Sequence, residues 1–278
     1  MNENRSVTER IPIRTDNQME FTSATRNLVD DQRHPVTLIT YLLALVAWVM
    51  LVTRSLPMPG PEMGAAMSSP GIPEAMALAH GAVGIGLYLL VWGVMMTAMM
   101  FPSAAPAFRA YYRSLGKAPI STKMSRTAAV TGIFSLVWLL TGVASLALNI
   151  VVPISGVASR SWHLLFGVSL VVVATYQLST YKRHHLEHCR APFDIADTGS
   201  DVRSTVRFAV RLGASSVGCC WALMALVVVV GSMNLLWMAA ITVLLSAELL
   251  ARRGERLAEA IGVLFGIGGV AVLLSVLA

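Results

Sequence analysis

Charge is scarce in this chain. Only 13% of its 278 residues are charged and 55% are hydrophobic, whereas soluble domains carry about 25% charged residues. This composition excludes an ordinary soluble domain and indicates a membrane protein. The net charge of +6 does not indicate nucleic-acid binding, because the basic residues stand in short loops between apolar runs, where they orient membrane proteins.

Cysteine is also scarce, and we expect no cleavable leader segment. Three cysteines imply no disulfide framework. Residues 1–34 contain no apolar run of the kind found in cleavable signal peptides, and acidic residues such as Glu3, Glu9 and Asp16 argue against an organellar transit peptide. We expect a flexible cytoplasmic tail over 1–34, with a binding role as the alternative.

Long apolar runs predict an all-α, polytopic transmembrane helix bundle over residues 35–278. About 17–25 apolar residues cross a bilayer as a helix. Seven runs have this character: 36–53, 82–101, 127–149, 162–181, 212–230, 234–250 and 257–277. The sixth is the shortest. The outer loop after the first run is rich in proline, glycine and methionine; a flexible linker is the favoured interpretation, and a place that catches soft cations is the alternative.

Lysine and arginine set the expected topology. They concentrate after the second, fourth and sixth runs and are sparse in the alternate loops, where Arg54 and Arg160 are isolated. Because basic loops stay on the cytoplasmic side, the pattern predicts an inner N-terminus and an outer C-terminus. We expect a multi-pass protein of the bacterial cytoplasmic (inner) membrane, with the lipid bilayer as its first partner.

Four methionines stand together in the stretch "WGVMMTAMMFP" of the second run, in its expected cytoplasmic half. Met95, Met96 and Met99 share a helical face with Trp92, and Met100 falls near its edge. Methionine is either a filler for irregular gaps in a core or a soft metal ligand. Both interpretations stand on these residues alone.

The stretch "GCCW" of the fifth run is expected at the same depth. Cys219 and Cys220 are consecutive, and consecutive helical residues point about 100° apart. We therefore expect one thiol to line the bundle interior and the other to pack. The alternative is that both are small apolar filler.

Histidines gather in "YKRHHLEHCRAP", at the cytoplasmic end of the fourth run. If the helix continues, His184 and His188 share one face, and His185 and Cys189 share another. Each pair has the i, i+4 spacing with which two ligands on one helix hold a metal. The alternative is a basic segment that contacts lipid head groups.

Glu248, at the inner end of the sixth run, has two equally favoured accounts. A carboxylate within a span costs about 2.5–3.5 kcal/mol near the bilayer centre on insertion scales. It either reaches the interface and pairs with Arg252 or Arg253, or faces the interior as a ligand or counter-charge.

Together these clusters predict a soft-metal site in the cytoplasmic half of the bundle. Thiolate and thioether ligands select Cu(I) above all, while imidazole also suits zinc and iron, which are the weaker candidates. The candidate ligands are Met95, Met96, Met99, Met100, His184, His185, His188, Cys189, Cys219, Cys220 and Glu248.

Three stretches, "WGVMMTAMMFPSAAP", "YQLSTYKRHHLEHCRAP" and "GCCWALMALVVVVGSMNLLWMAAITVLLSAE", resemble a bacterial family of unknown function described as predicted metal-binding integral membrane proteins. The resemblance covers roughly residues 80–253 and implies a metal-binding membrane protein. The chain departs from the family pattern at His185 and Ser216, where cysteine is usual, and at Leu249, where lysine is usual. A mixed His/Met/Cys site fits these departures better than a site of cysteines alone.

Three functions remain open from the sequence. The first is copper handling: holding the metal, delivering it, or assembling a metalloenzyme. The second is a structural or accessory subunit of a larger membrane complex, such as a copper-dependent oxidase or monooxygenase. The third, a metal transporter, is disfavoured by the odd number of spans and the lack of an inverted repeat. Without a nucleotide motif, a Gly-rich phosphate loop or a Ser/His/Asp set, the sequence assigns no enzyme activity.

Overall fold

The computed structural model describes residues 34–56, 68–190, 201–251 and 253–277. These residues form nine α-helices and no strand. Most of the predicted tail, the centre of the Met-rich loop and Arg252 lie outside the described residues. The helices are α1 Pro35–Val52, α2 Ile72–Ala79, α3 Gly81–Ser114, α4 Ile120–Val151, α5 Ile154–Gln177, α6 Thr180–Arg190, α7 Val202–Val230, α8 Leu235–Leu250 and α9 Gly254–Leu277.

The predicted polytopic helix bundle is confirmed. Within the described residues, six helices are long and apolar enough to cross a membrane: α1, α3, α4, α5, α7 and α9. The seventh predicted span, 234–250, is α8, an apolar helix of only 16 residues. Asn234 begins α8, because its side-chain oxygen accepts hydrogen bonds from the backbone N–H groups of Leu236 and Trp237.

Helix α3 is much longer than the predicted span 82–101, because it continues through two prolines, Pro102 and Pro106. A proline inside a helix leaves the carbonyl four residues earlier without its N–H donor. The carbonyl that Pro102 frees belongs to Ala98, and the indole N–H of Trp48 on α1 donates to it over 3.0 Å. A neighbouring helix thus replaces the missing bond, and the helix does not end.

The long helices share one hydrophobic core, and two short helices lie at different levels of it. Helix α2 packs on α3 and α4, close to the turn between α7 and α8, whereas α6 packs chiefly on α7. Gly231 in that turn has φ +120°, and a Cβ there would overlap the backbone of Ser68. Two separate polar regions result, one beside α6 and one beside α2.

Candidate functional site

Helix α6 places one face on α7. The side chains on that face are Lys182, His185, Leu186 and Cys189, at i, i+3, i+4 and i+7. Lys182 and Leu186 are buried, and His185 and Cys189 are half-buried. This spacing is that of a surface helix covering a core. The helix of the fourth span does not itself continue, since α5 ends at Gln177 and Leu178 and Ser179 separate it from α6; the separate helix α6 nevertheless keeps the i, i+4 spacings on which the sequence interpretation depends.

The three thiols of the chain come together at this contact. The Sγ atom of Cys189 on α6 is 3.5 Å from that of Cys219 on α7, which is 3.1 Å from that of Cys220. Cys219 and Cys220 are each 1% exposed, and all three cysteines are free. The sulfurs form a row with Cys219 in the middle, and we call this set the thiol row.

From the sequence we expect one of the thiols of Cys219 and Cys220 to line the bundle interior and the other to point elsewhere and pack. The structure instead places both sulfur atoms together. Their Cα–Cβ bonds leave the helix in different directions, but rotation about χ1 brings the two sulfur atoms into contact. The Sγ atom of Cys219 also donates to the carbonyl of Ser216 over 3.3 Å. Both thiols therefore belong to the same polar spot in the bundle.

His185 lies over Gly218, the residue before Cys219 of the thiol row. A Cβ at Gly218 would come within 2.7 Å of Nδ1 of His185, so glycine leaves the space that the ring occupies. The ring of Tyr181 packs edge-on against it at 4.4 Å. Burial, helped by the neighbouring His184 and His188, lowers the pKa of His185. The imidazole is thus kept neutral, the form that binds metals.

His184 and His188 lie on the open side of α6. Their rings are 4.3 Å apart, and Nδ1 of His188 is 2.7 Å from the carbonyl of His184. That carbonyl can only accept, so Nδ1 of His188 carries the proton and Nε2 offers a lone pair. The two rings, with His185, Arg211 and Trp221, line an open cleft of about 700 Å³ between α6 and α7.

A buried ion pair fixes α6 to the bundle. Nζ of Lys182 is 2.7 Å from Oε2 of Glu248 on α8 and donates to the carbonyl of Cys219 over 2.6 Å. Nε2 of Gln177 donates to Oε1 of Glu248 over 2.6 Å. Lys182 is 1% and Glu248 0% exposed. Of the two accounts of Glu248, the structure therefore shows the interior one.

Lys182 is the site residue that sequence reasoning missed. It was counted among the basic residues of a cytoplasmic loop, although it stands on the same helical face as His185 and Cys189, a signal that was available. Burial lowers the pKa of Lys182, but the acidic groups of Cys220 and Glu248 outweigh burial and raise it above its ordinary value. The ammonium group therefore stays charged beside the thiol row.

The methionines of α3 are buried, but Met95 is not level with the thiols. Met95, Met96, Met99 and Met100 are 0–3% exposed. Met95 lines a cavity of about 230 Å³ with residues of the α7–α8 turn, among them Met233 and Asn234. Cys219 stands on α7 about a dozen residues before this turn, which is roughly 18 Å along the helix at 1.5 Å per residue. The expected common depth therefore does not hold for Met95.

Within the described ranges, no group of three His, Cys, Asp or Glu side chains is arranged to enclose a metal ion. The thiol row fits this finding, because its sulfurs lie side by side and do not surround one point. What the geometry offers instead is two successive pairs of soft ligands that share Cys219.

A family model described as PpoB2, copper chaperone, matches residues 89–272, about two thirds of the chain. The chain belongs to this family. The matched range runs from α3 into α9 and contains the thiol row, the three histidines of α6 and the Lys182–Glu248 pair. It supports a copper-related family, in line with the copper expectation drawn from the soft ligands of the sequence. No curated protein and no solved structure matches the chain.

Proposed function

We propose that this protein is a membrane-embedded copper chaperone that carries Cu(I) as its cargo on the thiol row. The observation that carries the proposal is the contact of three thiols from two helices, at 3.5 and 3.1 Å. Thiolates are the ligands that select Cu(I). The copper chaperone family to which the chain belongs supports the same metal.

The row suits a cargo better than a resident cofactor. A closed cage of ligands retains a metal, whereas paired ligands that share one member allow it to move by ligand exchange. Cu(I) held by Cys189 and Cys219 passes to Cys219 and Cys220 when one thiolate replaces another. Each thiol loses its proton when it binds the metal and regains one when it releases it, as metal binding to cysteine requires.

The cleft beside α6 is the proposed place of exchange. His184 is exposed and His188 half-buried, and both rings lead towards His185 and the half-buried Cys189. Imidazole also binds copper, so these rings meet the metal before the buried thiols do. Lys182 supplies a positive charge beside the row, which offsets the negative charge that two thiolates and one Cu(I) leave behind.

We place the thiol row on the cytoplasmic side of a bacterial inner membrane, in line with the Lys and Arg pattern, because the reducing cytoplasm keeps thiols free. The proposed recipient is a membrane protein that needs copper, such as a copper-dependent oxidase or monooxygenase. In a complex with it, the chain would also serve as the accessory subunit that the sequence left open.

Competition with a Cu(I) chelator tests the proposal. The full chain in mild detergent under reducing conditions should take up about one Cu(I) and prefer it to Zn(II). Cys219→Ser should lower the Cu(I) affinity at least tenfold, which corresponds to about 1.4 kcal/mol, because both ligand pairs lose their shared member. Cys189→Ser and Cys220→Ser should lose less, since each leaves one pair intact.

The order of these losses is the critical result. Equal affinity in the parent and in all three folded serine variants would remove the thiol row from copper handling. His185→Ala should cost less than Cys219→Ser, because the imidazole lies beside the row and not in it. Met124→Leu, a change at an exposed methionine of α4, is the control that should leave the affinity unchanged.

A further inference from the structure

A second buried carboxyl group lies on α2, far from the thiol row. Glu74 is 0% exposed. Its Oε1 atom accepts two hydrogen bonds, one from the hydroxyl of Tyr88 on α3 over 2.9 Å and one from the hydroxyl of Ser145 on α4 over 3.4 Å. Ser232, in the turn after α7, also acts on the Glu74 carboxyl. It stands twelve residues after Cys220, a distance of about 18 Å at 1.5 Å per residue, so the two sites are well separated.

Two buried polar atoms at this place form no hydrogen bond of full geometry among the described residues, although their side chains lie close enough for Ser232 to act on the Glu74 carboxyl. They are Oε2 of Glu74 and Oγ of Ser232, whose residue is 0% exposed. Leaving a buried polar atom without a hydrogen bond destabilises the fold, so two together call for an explanation. The asymmetry of the carboxyl group supplies it, because both donors reach Oε1 and neither reaches Oε2.

We propose that the Glu74 carboxyl is a proton-binding site, which carries its proton on Oε2 and presents it to Oγ of Ser232. A carboxylic acid has one oxygen that only accepts and one that donates. Oε1 receives two hydrogen bonds and therefore matches the oxygen that only accepts. Oε2 receives none and matches the oxygen that carries the proton and donates. One proton thus provides a partner for both unpaired atoms.

The surroundings favour the neutral acid. The groups that face the Glu74 carboxyl are its own backbone N–H and hydroxyls from three elements, Tyr88 of α3, Ser145 of α4 and Ser232 of the α7–α8 turn. His80, the residue that follows α2, is exposed, and its Nδ1 atom lies 2.9 Å from the carbonyl oxygen of Met76. No cation among the described residues forms an ion pair with Glu74. Burial raises the pKa of Glu74, and its hydrogen bonds lower it by less.

The proton governs how α2 docks. Glu74 is the polar anchor of this eight-residue helix, and Asn149 of α4 holds its start by donating to the carbonyl of Gly71 over 3.3 Å. Loss of the proton leaves an unpaired carboxylate in a buried place, which favours withdrawal of α2 from the bundle. Glu74 and Tyr88 precede the family match, which covers residues 89–272, whereas Ser145 and Ser232 lie inside it. The proposal uses none of the thiols and is independent of the copper proposal.

Infrared spectroscopy of the full chain in lipid nanodiscs at neutral pH tests the proton directly. We expect a carbonyl stretch of a protonated carboxylic acid that shifts in heavy water. Glu74→Gln should remove this band, and Glu255→Gln, at an exposed carboxyl on α9, should retain it. Ser232→Ala should shift the band to higher frequency, because the acid loses its acceptor. A parent spectrum without a band that depends on Glu74 overturns the proposal.

Salt dependence separates a proton from a metal cation. The unfolding midpoint of the parent should be the same in sodium, potassium and choline chloride at equal ionic strength. A midpoint that rises with one metal cation, and does so only when Glu74 is present, would assign the site to that cation instead. If Glu74→Gln fails to fold, Ser232→Ala supplies the same comparison through the position of the carbonyl band.

Discussion

Glu248 and Glu74 are both completely buried, yet the protein treats them differently. Glu248 meets an ammonium group and an amide donor, from Lys182 and Gln177. Among the described residues, Glu74 meets hydroxyls and its own backbone N–H, and forms no ion pair. An ionised carboxylate away from water is costly unless a charge or several donors compensate it. The first is thus a fixed charge that joins three helices, and the second is a neutral acid that can exchange a proton.

The difference also assigns different tasks to the two ends of α7. Near Cys219, charges are paired and α6 is held in place, which keeps the thiols in position for the proposed transfer of copper. Beside Ser232, the same helix meets α2, whose carboxyl Glu74 forms no ion pair among the described residues and has an unpaired Oε2 atom. The two proposals thus place a metal-handling region and a proton-binding region at opposite ends of one helix.

Removing the cation should produce the largest effect. Lys182→Met leaves Glu248 as an uncompensated buried charge, and breaking a buried pair on one side costs about 3–5 kcal/mol of unfolding free energy. Denaturation of the detergent-solubilised chain, followed by tryptophan fluorescence, measures this loss. A change below about 1 kcal/mol, the usual limit for exposed pairs, would mean that the pair does not hold α6.

A double variant separates the charge from the packing. Adding Glu248→Leu to Lys182→Met removes both charges, and replacing a buried pair by apolar residues is often neutral or stabilising. The double variant should therefore regain most of the lost stability. Arg183→Met is the matched control, because its partner Glu259 is 41% exposed in the pair, and such surface pairs contribute about 0–1 kcal/mol.

Gly218→Ala should have a smaller effect than breaking the buried pair. The new methyl group would come within 2.7 Å of Nδ1 of His185, and overpacking of this kind costs about 1–3 kcal/mol. The same change pushes the imidazole away from the thiol row, so the Cu(I) affinity should fall as well. Gly132→Ala on α4 is the control, since a Cβ there meets no atom within 4 Å.

Much of the fold could be predicted because bilayer length and apolar runs leave few choices. The end of α3 could not be predicted in this way. Whether Pro102 ends the helix depends on Trp48, a residue 54 positions earlier, whose indole N–H replaces the hydrogen bond that the proline removes. The site was predicted in part. Spacing on α6 pointed to His185 and Cys189, but not to their meeting with Cys219. The depth of Met95 was wrong because α3 is longer than its apolar run.

The two glutamates can be compared directly with the same substitution. Glu248→Gln leaves Lys182 without its counter-charge and should cost several kcal/mol at neutral pH, again about 3–5. Glu74→Gln replaces a neutral acid by a neutral amide and should cost less than about 1.5 kcal/mol, the usual worth of one hydrogen bond. A gain of stability in Glu74→Gln at neutral pH would mean that Glu74 is ionised in the folded protein, because the amide would then remove an unpaired buried charge.

The pH dependence of Glu74 has a definite sign. Its folded pKa is raised, so the stability that the proton contributes is complete below the ordinary carboxyl pKa and is lost as pH rises through the raised value. The parent should therefore lose stability relative to Glu74→Gln over that window. Unfolding free energies of both proteins, measured from acidic to alkaline pH, give this difference, and a pH-independent difference would contradict it.

Met99→Leu should have the smallest effect, and it tests whether the methionine face of α3 takes part in copper binding. Leucine keeps the volume of methionine, and such swaps usually cost less than about 1.5 kcal/mol. Because Met95 lies level with the α7–α8 turn and away from the thiols, we expect Met99→Leu to reduce the Cu(I) affinity less than Cys219→Ser does. Met124→Leu, at an exposed site, controls for the loss of a thioether as such. A loss of Cu(I) affinity as large as that of Cys219→Ser would bring the methionine face into the cargo site. Measuring the Zn(II) affinity of the same variant separates the two causes, because a lost thioether ligand weakens Cu(I) binding selectively, whereas altered packing does not distinguish the two metals.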